Sequence, residues 1–172
     1  GSLSFCSGSS VTLTAASGQS YLWSTGDTTQ SITSSQSGTY YAIVTTANGC
    51  TDTTATYTTT LFADPDTSVT ANGSLSFCSG SSVTLTAASG QSYLWSTGDT
   101  TQSITSSQSG TYYAIVTTAN GCTDTTATYT TTLFADPDTS VTANGSLSFC
   151  SGSSVTLTAA SGQSYLWSTG DT

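Results

Sequence analysis

The sequence contains no lysine, arginine, histidine, glutamate or methionine, and its only side-chain charges are nine aspartates, for a formal net charge of −9. Each absence closes a class of chemistry. Binding nucleic acid requires cations that displace counterions from phosphate, so that class is excluded. An anionic membrane surface repels the chain for the same reason. A serine or cysteine nucleophile has no His or Lys to activate it. Aspartate is the only carboxylate available for acid–base work. Composition therefore argues against an enzyme. No run approaches the ~18 apolar residues of a membrane span. Every trypsin site is missing, and proline occurs only at Pro65 and Pro137.

What the chain has is hydroxyl groups. Serine and threonine make up 74 of the 172 residues, alongside 35% hydrophobic and 10% aromatic residues. Disordered chains are poor in aromatic and β-branched residues, so this composition predicts a folded chain. Residues 1–72 recur without a change as 73–144, and a third copy opens at Gly145 and runs to Thr172. A unit of this size is too large for a solenoid coil and suits a small β domain with its own core. Identical units at constant pitch suit a rod, a stalk or a fibre. Phe62-Ala63-Asp64-Pro65-Asp66 interrupts the alternating pattern and is the natural boundary. The expected domains are 1–62, lacking a first strand segment; 65–134, a complete unit; and 137–172, the opening part of a third.

Apolar residues alternate with Ser and Thr at period two and never at helical spacing. Val69, Ala71, Gly73, Leu75 and Phe77 share one parity, predicting a single first strand. Val11, Leu13 and Ala15 form a second, and Tyr21 and Trp23 share the inner face of a third. Ile32 anchors a short strand after the Thr25-Gly26-Asp27 turn. Tyr40, Ala42 and Val44 alternate before Asn48-Gly49, which is read as a tight hairpin. The last strand, 51–61, is expected to carry Thr54, Thr56, Thr58 and Thr60 as a hydroxyl ladder on one side. Short strands with frequent turns predict an all-β sandwich. The core is expected around Trp23, Tyr40, Trp95, Tyr112 and Trp167.

Ser37-Gly38-Thr39-Tyr40-Tyr41 resembles the sixth-strand signature of immunoglobulin-like domains, with Tyr40 at the family's tyrosine corner. Ser10-Val11-Thr12-Leu13-Thr14-Ala15 resembles the second strand. The family's two core cysteines fall on Ala15 and Ala42, so the inter-sheet disulfide is absent. The longer pattern runs Cys-x-Gly-x-x-Val-x-Leu-x-Ala, Tyr-Leu-Trp-Ser-Thr-Gly, Gly-Thr-Tyr-Tyr, Asn-Gly-Cys. It is similar to the tandem immunoglobulin-like repeats of Bacteroidota surface adhesins. That resemblance implies a head-to-tail array of sandwiches, a secreted or cell-surface location, and no catalysis or cofactor.

The five cysteines are Cys6, Cys50, Cys78, Cys122 and Cys150. Two cysteines per repeat without histidine do not complete a zinc site, and in a secreted chain disulfides are the default. In an immunoglobulin-like sandwich the turn before the second strand and the last hairpin lie at opposite poles. A seven-residue strand spans roughly 23 Å, whereas a disulfide needs Cα atoms within about 7 Å. Pairing between units, Cys6 with Cys122, is therefore preferred. Pairing within units, Cys78 with Cys122 and Cys6 with Cys50, remains the alternative under a different topology.

Other candidates follow from exposure or from the resemblance. Asp64, Asp66 and Asp99 could share a calcium ion between units, since calcium takes carboxylate and carbonyl oxygens; solvated linker charge is the competing reading. Thr28, Thr53, Thr100 and Thr125 lie in Asp-Thr-Thr motifs that the resemblance marks for O-glycosylation. Tyr41, Ile43, Tyr113 and Ile115 fall on the outer face and form a candidate lateral interface. The expected partners are identical repeats or chains, with surface glycans or ice as the alternative ligand of a threonine-rich face.

Overall fold

The computed structural model describes residues 2–172. The first unit contains β1 (Ser2–Cys6), β2 (Val11–Thr14), β3 (Ser20–Trp23), β4 (Ser31–Ser34), β5 (Gly38–Tyr40), β6 (Ala42–Thr45), β7 (Thr51–Thr53) and β8 (Tyr57–Phe62). The second contains β9 (Val69–Ala71), β10 (Ser76–Cys78), β11 (Val83–Ala87), β12 (Ser92–Trp95), β13 (Ser103–Ser106), β14 (Gly110–Tyr112), β15 (Ala114–Thr117), β16 (Thr123–Thr125) and β17 (Tyr129–Phe134). The third contributes β18 (Val141–Ala143) and β19 (Leu157–Ala159).

The second unit shows the plan. One layer has the order β13-β11-β9. In the other, β14 and β15 are consecutive pieces of one strand, broken at Tyr113, and β16 and β17 are likewise two pieces. This layer has β10-β17-β14 at one end and β12-β15-β16 at the other. β10 runs parallel to β17, with Ser76 opposite Thr132, while the remaining pairings are antiparallel. The first strand thus divides between both layers, and the chain then alternates between them. This order is that of an immunoglobulin-like sandwich.

The core follows the period-two pattern. β11 buries Val83, Leu85 and Ala87, β13 buries Ile104, and β15 buries Ala114 and Val116. Trp95 is 2% exposed and belongs to the cluster containing Ala87 and Ala114. Its indole Nε1 donates to the Thr101 carbonyl at 2.8 Å, which satisfies the one polar atom buried with the ring. In the first unit Trp23 sits with Ala15 and Ala42 and bonds to Thr29 in the same way. Two alanines therefore stand beside the tryptophan at the positions of the family's cysteines. Tyr112 directs its hydroxyl to Ser106 Oγ at 2.8 Å, and Tyr40 to Ser34 Oγ at 2.7 Å. A Cβ on Gly110 would meet the Tyr112 hydroxyl at 2.8 Å, so the ring folds back only over a glycine.

Three expectations need correction. The run from Val69 to Phe77 is not one strand. It bends at Asn72-Gly73, where Thr84 N–H donates to Asn72 Oδ1, so β9 joins one layer and β10 the other. The 51–61 strand is broken as well. Thr54 sits in the gap between β7 and β8, donating its N–H to the Ala42 carbonyl and accepting the Ala42 N–H at its hydroxyl. Thr56 also lies in the gap, so the four threonines do not form one ladder. Finally, the Asn48-Gly49 hairpin is a three-residue loop. Gly49 N–H donates to the Thr46 carbonyl, Thr46 N–H donates to Cys50, and only Gly49, at φ +83°, is left-handed.

Candidate functional site

The structure joins Cys6 to Cys122 in a disulfide with a Cα–Cα distance of 5.5 Å, across a sequence separation of 116. Local sequence presents both sulfurs at poles. Cys6 ends β1 and opens the turn Cys6-Ser7-Gly8-Ser9, where Ser9 N–H donates to the Cys6 carbonyl and Gly8 takes φ +76°, as the third position of a type II turn demands. Cys122 closes the hairpin between β15 and β16, held by Thr118 Oγ1, which accepts the Cys122 N–H at 3.1 Å. The bond therefore runs from the lower pole of the first unit to the upper pole of the second. Cys122 is buried at 1% exposure. Cys50, Cys78 and Cys150 are free and exposed.

The linker beneath this bond is itself packed. Pro65 is buried and Phe62 half-buried. Ser68 donates its backbone N–H to Asp66 Oδ1 at 2.8 Å. That bond first, and then the Ser68 hydroxyl, hold the Asp66 carboxyl below the usual carboxylate range; Ser140 does the same for Asp138. Beyond the linker, β9 completes the second unit, with Tyr129 donating its hydroxyl to the Val69 carbonyl at 3.1 Å.

The calcium candidates do not assemble. Asp66 Oδ1 is taken by Ser68, Asp99 Oδ2 accepts from Thr97 Oγ1 at 2.6 Å, and among the described residues no three His, Cys, Asp or Glu residues could hold a metal ion together. Thr28, Thr53, Thr100 and Thr125 are all exposed. Trp167 is only half-buried, and Leu166 and Phe149 are exposed.

Tyr41 and Tyr113 are each 39% exposed, and Ile43 and Ile115 are half-buried. The structure adds Leu22 and Leu94 to this face. They lie opposite Ile43 and Ile115 across the strand pair and are 48% and 47% exposed. A signal for them was present in the sequence. With Tyr21 and Trp23 facing inward, the residue between them must face outward.

No family model matches the chain, and no curated protein matches it. Among solved structures, an amphioxus IgVJ-C2 molecule is similar at 20% identity, covering 76% of this chain and 99% of its own, with a TM-score of 0.33. Murine CEACAM1b is similar at 11% identity, covering 76% and 96%, with a TM-score of 0.35. A Bacteroides ovatus mixed-linkage glucan utilization locus protein, SGBP-B, in complex with a mixed-linkage heptasaccharide, is similar at 14% identity, covering 76% and 42%, with a TM-score of 0.27. At these scores the fold assignment rests on strand order alone.

Proposed function

We propose that this is an extracellular structural protein, a filament or adhesin stalk built from identical immunoglobulin-like units strung pole to pole. One observation carries the reading. The lower pole of one unit and the upper pole of the next are tied by Cys6–Cys122 over a buried proline, and every residue of that joint recurs with the repeat. Two connections, one peptide and one disulfide, restrict bending where a single linker would not. The role is geometric and uses neither catalysis nor a cofactor. A stable disulfide belongs in an oxidising compartment, which supports secretion. The exposed Asp-Thr-Thr threonines are its candidate O-glycosylation sites, and the absence of trypsin sites suits an exposed fibre. Electron microscopy of the native material tests this. The expected image is a thread with a repeat of roughly 35–45 Å, from strand length plus linker. Compact isolated particles with free thiols and turnover of a substrate would end the proposal.

A second reading is a glycan-binding adhesin arm. The exposed Leu22 and Tyr41, on one face with the half-buried Ile43, favour it, since an aromatic ring beside hydroxyl-bearing strands suits a sugar ring. A regular lattice match to ice loses its footing with the broken threonine ladder.

A further inference from the structure

Two covalent routes join Cys6 to Cys122. One is the disulfide, which brings the two Cα atoms to 5.5 Å. The other is the peptide of residues 7–121, which runs through most of both units. Every buried member of the two apolar core clusters lies on this second route, from Leu13 to Val116. Trp23 and Trp95 are among them.

In the first two units the strands outside that loop are β1, β16 and β17. β1 runs parallel to β8 from Ser2 opposite Thr58 to Cys6 opposite Phe62, so it ends at the lower pole of its unit. β16 and β17 carry the chain from Cys122 at the upper pole of the second unit to Phe134 at its lower pole. At the rise of a strand residues 122–134 cover roughly 40 Å, and fully drawn-out peptide is only about a tenth longer. The break between the two pieces is pinned by Thr126. Its N–H donates to the Ala114 carbonyl at 2.9 Å, and its hydroxyl accepts the Ala114 N–H at 3.0 Å. The route through the disulfide therefore stores almost no slack, whereas the route through the cores stores nearly all of it.

We propose that the protein bears tension, and that the Cys6–Cys122 bond routes the load past both cores. A pull along the chain enters β1, crosses the bond and leaves through β16 and β17. Each of these strands is drawn at both ends along its own axis. Its backbone carries the force, and its ladder bonds to neighbouring strands are not sheared. Residues 7–121 hang from this line still folded. Without the bond the same pull passes through residues 7–121 in series, and each core must open in turn. A chain that would lengthen by roughly 400 Å as its first two units unfold thus becomes a tether of nearly fixed length. Joining pole to pole then limits stretching as well as bending.

This deepens the pole-to-pole scaffold reading and rests on it, but the two fail separately. The test is single-molecule stretching of the 172-residue chain, with handles joined at residue 1 and at the exposed Ala135 through chemistry that uses no thiol. In the oxidised chain the stretching and relaxation curves should superimpose, with under about 30 Å of length released. After reduction by a phosphine, or in Cys122→Ser, two unfolding steps should release roughly 400 Å in all. A protease site inserted at the exposed Ser17, between β2 and β3, sharpens the test. Cut there, the oxidised chain should still hold the load, and the reduced chain should part. If the inserted variant does not fold, the comparison of the uncut chain before and after reduction still decides. Lag between stretching and relaxation in chains whose bond mass mapping shows intact would mean that β1 or β17 is stripped from its sheet. That result, or a cut oxidised chain that parts, would overturn the load path and leave the scaffold reading in place. Absence of the Cys6–Cys122 bond would instead remove the scaffold reading itself.

Discussion

The two linkers, residues 63–68 and 135–140, share one sequence and differ in structure. In the first, Pro65 is buried and the poles are tied by Cys6–Cys122. In the second, Pro137 is exposed, Phe134 is 53% exposed, Cys78 is free, and Asp136 accepts a bond from Ser79 Oγ at 2.6 Å. Local propensity is identical, so it does not decide the outcome. What differs is the neighbouring unit. The first linker leads into a full sandwich whose hairpin presents Cys122. The second leads into β18 and β19, around which Trp167 is only half-buried. The Cys6–Cys122 bond needs the hairpin pole of the second unit, which the linker's own sequence does not supply.

The largest effects should come from breaking the sandwich that receives the joint. Trp95→Ala removes a ring at 2% exposure and should cost about 3–5 kcal/mol. Trp167→Ala should cost less than about 1 kcal/mol, because little is lost when the site is already half solvated. Urea unfolding of both variants checks the contrast. Next comes the bond itself. Cys122→Ser should lower stability by about 2–4 kcal/mol and broaden the inter-unit distances seen by X-ray scattering, since it releases a long closed loop. Cys78→Ser in the dilute monomer should stay within about 0.5 kcal/mol.

Smaller again is Tyr112→Phe, which removes the hydrogen bond to the buried Ser106 hydroxyl and should cost about 1 kcal/mol. Tyr40→Phe in the first unit should match it, because the corner does not depend on the joint. The smallest effect is acidification. Asp66 and Asp138 titrate below the ordinary carboxylate range when folded, so their turns contribute above that range and lose the contribution as pH falls through the lowered folded values. Both groups are solvated, so the linker amides Ser68 and Ser140 should lose protection, relative to the intrinsic exchange rate at each pH, on acidification while the two cores stay folded. Amide exchange measured at neutral pH and at low pH reads this directly.

The fold class was legible because period-two alternation and short strands leave little else for this composition to do. Parity shows which face a residue takes but not which sheet its strand joins. It therefore read Val69 to Phe77 as one strand, although the Asn72 side chain caps Thr84 and turns the chain between layers. The break after β16 was hidden for a related reason. A threonine in a threonine-rich strand looks like any other, and only the fold shows Thr126 accepting the Ala114 N–H and buried at 5% exposure. At the joint, strand length separates the two cysteines of one unit only once the immunoglobulin-like topology puts them at opposite poles. The burial of Pro65 was not legible, because it depends on a surface supplied by residues far along the chain.

Mass mapping of the unreduced chain, cleaved with chymotrypsin and with alkylation of free thiols before digestion, addresses the central claim most directly. The account predicts a Cys6–Cys122 cross-linked peptide from single chains, with Cys50, Cys78 and Cys150 alkylated in dilute monomer. A Cys6–Cys50 or Cys78–Cys122 peptide would place the bond inside a unit and contradict it.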